Sequence, residues 1–556
     1  MKANLQKQFL LLGLLIILST QVLWAQVPAT KVWDKTIGGN GADYLYSLTT
    51  SADGGYLLGG SSNSLPNGDK SEENRGEYSV YNYDYWVVKI NADGSKAWDK
   101  PFGSDQGVDE LRSVIRTADN GYLLGGYSLS YGAGGDKTED SRGNSDFWII
   151  KINADGSKVW DKTLGGSGYE YLNTLIQTAD GGYLVGGAST TNIGGEKTEH
   201  SRGGFDFWVV KLNADGSKAW DRTIGGGDGE ILESLIATPD GGYLLGGTSN
   251  SGIGGDKTEN NRGTFGDYWV VKLNADGSKA WDKTFGGSNE ENLMSLATTS
   301  DGGYLLGGIS YSGSEHDRTG SSKGLADYWV VKINSEGNKI WDKAFGGSDY
   351  DYLISLVETE DRGYLLGGTS LSDVGGDKTE NNRGILGDYW VVKINSEGSK
   401  VWDKTFGGSH NEEFMSLIKT ADGGYLLGGI TDSGTSGEKS EANRGSFDYW
   451  VVKIQETVTT SIGELKQESN RQFLVYPNPG NGSLKIKLYD PKLGTALVAL
   501  VLYNTLGQQV LSETLTGSDV QVGAILNTST LPNGTYYLHL QVQEKILKTK
   551  IVINEG

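Results

Sequence analysis

The 556-residue chain contains no cysteine. That excludes disulfide staples, thiolate metal centres and a cysteine nucleophile. Histidine is scarce: His200, His316, His410 and His539 are all there is, and no pair has the HExxH spacing of a zinc site. Proline is also rare, at 8 residues, whereas glycine reaches 85, about twice the usual share of roughly 7%. These counts exclude a Pro/Gly-rich disordered chain, and the glycines fall at regular places, as repeated turns and close backbone approaches do. After residue 25 no apolar run is long enough for a membrane-spanning helix. Positive charge is in deficit, with 49 Lys and Arg against 70 Asp and Glu and a net charge of -21 spread without a long acidic run. Such a surface repels nucleic acid and anionic membrane, and suits solubility, cations or basic ligands.

What is present begins with a secretory signal. Lys2 and Lys7 precede an apolar core, Phe9 to Leu18, too short to cross a bilayer. Polar Ser19 to Gln21 follow, and cleavage is expected near Ala25. The Sec machinery is therefore the first expected partner.

A period of about 61 residues then governs the chain. Trp-Asp recurs at Trp33, Trp98, Trp160, Trp220, Trp281, Trp341 and Trp402. Asp-aromatic-Trp recurs with its Trp at 86, 148, 208, 269, 329, 390 and 450, and Gly-Tyr-Leu-(Leu/Val)-Gly-Gly also occurs seven times. One unit, residues 167–226, reads as four strands a to d: YLNTLIQT, YLVGGAS, FDFWVVKL and SKAWDRTIGG. Asp-Gly turns join a to b and c to d, and a long polar loop joins b to c. Strand c is apolar on both faces, as expected of a strand covered on both sides. The repeats open with a lone strand d (Lys31 to Gly39) and close with a strand c (Asp448 to Ile454). A ring in which the first strand completes the last sheet satisfies both ends. The pattern resembles bacterial β-propeller repeats, so residues 31–454 are expected to form a seven-bladed β-propeller. That fold hosts binding, scaffolding and catalysis alike.

The long loops share one face of such a ring, which makes that face the candidate binding surface. Ten residues before each a-to-b turn Asp stands an acid: Asp43, Asp109, Glu170, Glu230, Glu291, Asp351 and Glu412. One reading is a carboxylate crown that holds a cation or basic ligand. The other is a structural clamp in which each carboxylate accepts backbone N–H groups or pairs with a loop cation. The b-to-c loops read [DE]-K-[ST]-E-x-x-R-G in six copies, with the fifth departing at Asp317-Arg318-Thr319-Gly320 and Lys323-Gly324. They read as a salt-bridged, solvated edge, with calcium as the lesser alternative, because no copy has the ligand spacing of an EF-hand loop. The Asp that opens each strand c (84, 146, 206, 267, 327, 388 and 448) reads as structural. No Ser-His-Asp order, P-loop or dinucleotide fingerprint occurs, and no carboxylate pair stands out for glycoside hydrolysis. No catalytic, cofactor or metal residue is assigned.

Composition changes after Ile454. Residues 455–471 form a polar linker, and residues 473–556 alternate as a small antiparallel β-sandwich, Ig-like in expectation. The motifs run in order: Pro477-Asn478-Pro479 with Gly482, Gly507 with Val510, Leu531-Pro532 with Gly534 and Tyr536, and a last strand carrying Lys548 and Lys550. This segment resembles the type A C-terminal sorting domain of the type IX secretion system. The resemblance implies Sec export, recognition by the outer-membrane translocon, and a secreted or surface location in a Bacteroidetes-type bacterium. The whole is expected to be an all-β, exported, non-catalytic binding or adhesion protein for an extracellular glycan or protein. A polysaccharide-acting enzyme and a passive coat protein are the alternatives.

Overall fold

The computed structural model describes residues 28–76, 82–456, 472–476, 483–489, 497–504, 508–542 and 545–553. The signal segment 1–25, most of the 455–471 linker, and Pro477, Asn478, Pro479, Gly482 and Gly507 lie outside the described residues. The chain divides into two compact units, one of Pro28–Thr457 and one containing Val458–Gly556.

The first unit is built from seven four-stranded antiparallel sheets. The third is typical: strand a is Glu170–Gln177, b Tyr183–Ser189, c Asp206–Leu212 and d Lys218–Ile224. Each boundary lies within one or two residues of the sequence pattern. The a-to-b turn closes through Asp180, whose Oδ1 accepts the Gly182 N–H at 3.0 Å, while Gly181 takes φ of 83°. Most copies place glycine at that left-handed position, where it is unstrained. In strand b the second glycine of Gly-Gly is dictated by packing: a Cβ on Gly187 would stand 1.9 Å from the Tyr171 carbonyl oxygen.

The seventh sheet is assembled from both ends of the repeat region. Thr30–Ile37 pairs antiparallel with Asp448–Gln455, in the order Thr30–Ile37, Asp448–Gln455, Tyr425–Thr431, Glu412–Lys419. Apolar clusters fill every seam between consecutive sheets, and another fills the seam between the last sheet and the first. In that closing cluster Leu45, Leu58, Trp86 and Val88 meet Leu426, Tyr449 and Val451. The Trp of strand c is fully buried in all seven copies, and its indole Nε1 donates to the strand-d Asp, as Trp208 does to Asp221 at 3.1 Å. A side chain of this size buries about 150–250 Å², so these seven dominate the seams.

Strand a of each sheet packs beside strand a of the next, and Glu412–Lys419 beside Asp43–Thr50. Every strand a carries a register shift at the same place, leaving one residue unpaired: Tyr46, Arg112, Asn173, Glu233, Met294, Ile354 and Met415. Such bulges re-aim a side chain out of the ladder.

The C-terminal unit holds a three-stranded sheet (Gln472–Tyr476, Ser483–Tyr489, Ala524–Asn527) and a four-stranded one (Gln509–Thr516, Leu497–Asn504, Gly534–Val542, Lys545–Ile553). Leu484, Ile486, Leu500, Leu502, Leu538 and Leu540 are among its core residues. The all-β expectation omits one element, the short helix Gly517–Val522. It starts at a capping box in which Thr516 accepts from the Asp519 N–H and the Asp519 carboxylate accepts from the Thr516 N–H.

Candidate functional site at the inner strands

The seven acids of the expected crown are fully buried. Each accepts a backbone N–H four or five residues earlier, from Gly39, Ser104, Gly166, Gly226, Gly287, Gly347 or Gly408, at 2.7 to 2.8 Å. Glu170 also accepts the hydroxyls of Ser189 and Thr191, at 2.9 and 2.6 Å. These contacts hold the d-to-a loop against the end of strand b and turn the carboxylates away from solvent. The geometry is that of the clamp.

The loop charges divide by depth. Lys70, Lys137, Lys197, Lys257, Lys378 and Lys439, and Arg318 in the divergent copy, are all buried. The loop Arg instead reaches the acid that opens the next loop: Arg75 to Asp136, Arg142 to Glu196, Arg202 to Asp256, Arg262 to Asp317, Arg383 to Glu438 and Arg444 to Asp69, at 2.7 to 3.2 Å. Lys323 approaches Asp377 at 3.8 Å. These half-exposed pairs link neighbouring loops and contribute about 0–1 kcal/mol each. The Asp opening each strand c is buried and in six copies accepts the N–H of that loop's Arg, as Asp84 does from Arg75 at 2.6 Å, while Asp327 accepts from the Lys323 N–H and the Arg318 guanidinium. Among the described residues no group of three or more His, Asp or Glu is arranged to hold a metal ion.

Where the seams repeat, the bulge residues do not. Four consecutive sheets present Tyr46, Arg112, Asn173 and Glu233, and the next three present Met294, Ile354 and Met415. The guanidinium of Arg112 lies over the Tyr46 ring at 4.5 Å and near the Tyr127 ring at 5.6 Å. It donates to Glu110 at 2.8 Å and to the Tyr127 hydroxyl at 3.2 Å, while its Nε is buried without an acceptor. Burial pushes the Glu233 carboxyl up to about 7, opposed by the charge of Arg112. Asn173 donates to the Leu232 carbonyl at 3.0 Å.

Beside these residues is a recess of about 380 Å³ lined by Arg112, Tyr127, Leu129, Tyr171, Asn173, Ala188, Phe205 and Ile231. Its aromatic rings form one group: Tyr127 meets Tyr171 edge-on at 4.8 Å, and Tyr171 lies 5.8 Å from Phe205 and 6.1 Å from Tyr169. A second recess of about 350 Å³, lined by Asn40, Gly41, Ala42, Tyr44, Asn63, Tyr83, Ser446 and Phe447, carries its own trio, Tyr44, Tyr83 and Phe447. Sequence reasoning passed over all of these positions. Their signal was available as a variable position inside strand a, preceded by Leu in six copies and Phe in the seventh and followed by Ser or Thr in all seven.

In the C-terminal unit the Tyr536 hydroxyl donates to the Pro532 carbonyl at 2.7 Å, closing the turn that leads into Gly534–Val542. Leu531 is half-buried and packs against the core, and Val510 is exposed on Gln509–Thr516. Lys548 and Lys550 lie in the last strand, opposite His539 and Tyr537.

Comparison with known proteins adds the following. Over 285 residues the chain is 24% identical to the regulatory protein FlaEY of Caulobacter vibrioides, covering 48% of this chain and 29% of that protein. It therefore spans under a third of the curated relative's length. Among solved structures, a protein of unknown function from Dyadobacter fermentans matches 77% of this chain and 100% of its own, at 11% identity and a TM-score of 0.37. A gluconolactonase from Xanthomonas campestris matches 61% of this chain and 92% of its own, at 12% identity and a TM-score of 0.28. Residues 474–554 match the family of secretion system C-terminal sorting domains. The chain is thus a repeat protein of four-stranded β-sheets that ends in a secretion system C-terminal sorting domain.

Proposed function

We propose that residues 31–454 form a closed seven-bladed β-propeller that binds an extracellular glycan at the Arg112–Tyr171 recess and performs no catalysis. The sorting domain implies export by the type IX secretion system to the outer-membrane surface or the medium. In this reading residues 1–25 are a Sec signal, 455–471 a linker and 473–556 an Ig-like sorting module.

The observation that carries the reading is the break in symmetry. Seven copies agree at the seams and turns, yet the bulge residues and the rings beside them differ from copy to copy. A purely structural ring has no need of that difference. Aromatic faces such as Tyr171 and Phe205 stack on the apolar faces of sugar rings. Arg112, held by Glu110, and Asn173 supply the few directed polar groups a pocket needs for orientation. Titration calorimetry of the full chain against a panel of neutral and acidic oligosaccharides tests it. Binding that vanishes in Tyr171→Ala and Arg112→Ala supports the reading, and binding indifferent to both sinks it.

One observation favours a second reading, polysaccharide hydrolysis. Burial raises the Glu233 carboxyl to about 7, into the range a general acid uses. Hydrolysis of any panel member that disappears in Glu233→Gln would establish it.

A further inference from the structure

Each seam between sheets contains two buried carboxyls. One opens strand c of one sheet, and the other opens strand a of the next. All fourteen are fully buried. The two converge on a single glycine of the d-to-a loop. At Gly38 a Cβ would stand 2.0 Å from Asp448 Oδ1 and 2.9 Å from Asp43 Oδ2, and at Gly165 it would stand 2.2 Å from Asp146 Oδ1 and 2.7 Å from Glu170 Oε2. In Asp84, Asp146, Asp206, Asp267, Asp388 and Asp448 the buried Oδ1 accepts no hydrogen bond. Asp388 and Glu412 are within hydrogen-bonding reach of each other, a contact that two ionised carboxylates cannot make.

The buried loop cations are half as many as these fourteen acids, one Lys per sheet or Arg318 in the fifth, while the other buried lysines, such as Lys89, pair with the a-to-b turn Asp, as Lys89 does with Asp53. With the half-exposed loop Arg already paired to the acid that opens the next loop, full ionisation would leave the buried loop cations one charge short per seam. A single added positive charge per seam restores neutrality, whereas a divalent ion would overshoot. Two like charges that close in a dry site do not both ionise.

We propose that each of the six seams outside the buried Arg318–Asp327 pair holds one proton between its two carboxyls in mildly acidic solution, and that loss of these protons as pH rises loosens the packing between sheets. The Asp448–Asp43 seam shows the surroundings. Lys439 and Arg444 face it from the loop of the seventh sheet, and Lys70 from the first. Asp34, Glu412 and Glu441 act on Lys439, Asp69 pairs with Arg444, and the Tyr449 phenol adjoins Asp43. Burial first, and the neighbouring carboxyl with it, raises Asp146 to about 6 and Asp267 and Asp448 to about 7. Asp84 and Asp388 are raised for the same reasons. Raised carboxyls bind protons in the folded chain that the unfolded chain has already released. Their contribution is complete below the ordinary carboxyl value and is lost as pH rises through 6 to 8. The loop lysines Lys257, Lys378 and Lys439, lowered by burial to about 8, act in the opposite sense above that pH. The informative window is therefore pH 5 to 7.5.

The test is calorimetric unfolding of the full chain at pH 6.5, in buffers of different ionisation enthalpy. Among the described residues Glu233 and Glu456 are the raised carboxyls outside the seams, and they account for at most two released protons. Release of more than two, with a Tm that falls from pH 5 to 7.5, supports the proposal; two or fewer, or net uptake, overturns it. Asp388→Asn should release about one proton fewer and flatten the fall in Tm. Should that variant not fold, the proton count of the unsubstituted chain decides alone. If EDTA lowers the Tm at pH 6.5 and calcium restores it, the seams hold a metal ion and the proposal is overturned.

Discussion

The Tyr449 hydroxyl donates to the main-chain carbonyl of Trp86 at 2.9 Å, tying the last sheet to the first. The same bond joins Tyr85 to Trp148, Tyr268 to Trp329, Tyr328 to Trp390 and Tyr389 to Trp450, at 2.9 to 3.0 Å. Phe147 and Phe207 occupy the position in the other two sheets, so the ring fits the site and the hydroxyl adds to it. Tyr449→Phe is expected to cost about 1–3 kcal/mol, the penalty of leaving a buried carbonyl without its donor. Urea unfolding would register it as a lower midpoint with an unchanged slope.

Arg362 takes φ of 63° at the turn position that glycine fills in most copies. A side chain in the left-handed region costs roughly 1–2 kcal/mol. Arg362→Gly should therefore raise the Tm, one of the few substitutions to glycine expected to stabilise. An unchanged or lowered Tm would show that the side chain makes a compensating contact.

Acid should weaken the repeat region through a different set of carboxyls. Burial raises Asp34, Asp161 and Asp282, but hydrogen bonds from Lys, backbone N–H and the Trp indole outweigh it and leave each below its ordinary value of 3.8. A depressed carboxyl contributes stability above its unfolded value and loses it as pH falls through the folded one. Stability should drop below about pH 4. Asp282→Asn should shrink that drop, and circular dichroism melts from pH 2.5 to 5 read both.

Tyr171→Ala should weaken oligosaccharide binding about tenfold or more, equivalent to about 1.4 kcal/mol, while the Tm stays near that of the parent because Tyr171 is half-buried at the recess. Ile354→Ala, on the apolar arc of bulge residues, should leave binding intact. Equal losses in both variants would place the ligand elsewhere.

Removal of residues 474–554 should leave a folded repeat region that stays inside the outer membrane. Cell fractionation with a blot against the repeats would reveal it. Undiminished surface display of the truncated chain would count against the export route.

The seams were legible in the sequence because seam residues repeat. Trp208, Gly187 and Asp180 each face the same neighbours in every copy, and selection for one packing solution writes one residue type at a fixed period. The fate of the acids was half legible. Glu170 shows its charge in the sequence, but the hydroxyls of Ser189 and Thr191 that enclose it follow 19 and 21 residues later, and their convergence depends on strand pairing. The recess was illegible for the opposite reason. Arg112, Asn173 and Glu233 share a position without sharing a chemistry, and a reading weighted by recurrence treats such a position as noise. The helix Gly517–Val522 was missed because six residues show no 3.6-residue period.

The pairing of Thr30–Ile37 with Asp448–Gln455 sets an order on biosynthesis. Asp34 meets Trp450 across 416 residues, so the first β-segment of the repeat region waits longest for its mate. A polypeptide that ends prematurely keeps an unzipped edge at its N-terminus, whatever its other sheets have achieved. The delivery tag is encoded after the mate. A product cut short before Asp448–Gln455 therefore lacks both the mate of Thr30–Ile37 and the sorting domain at 474–554.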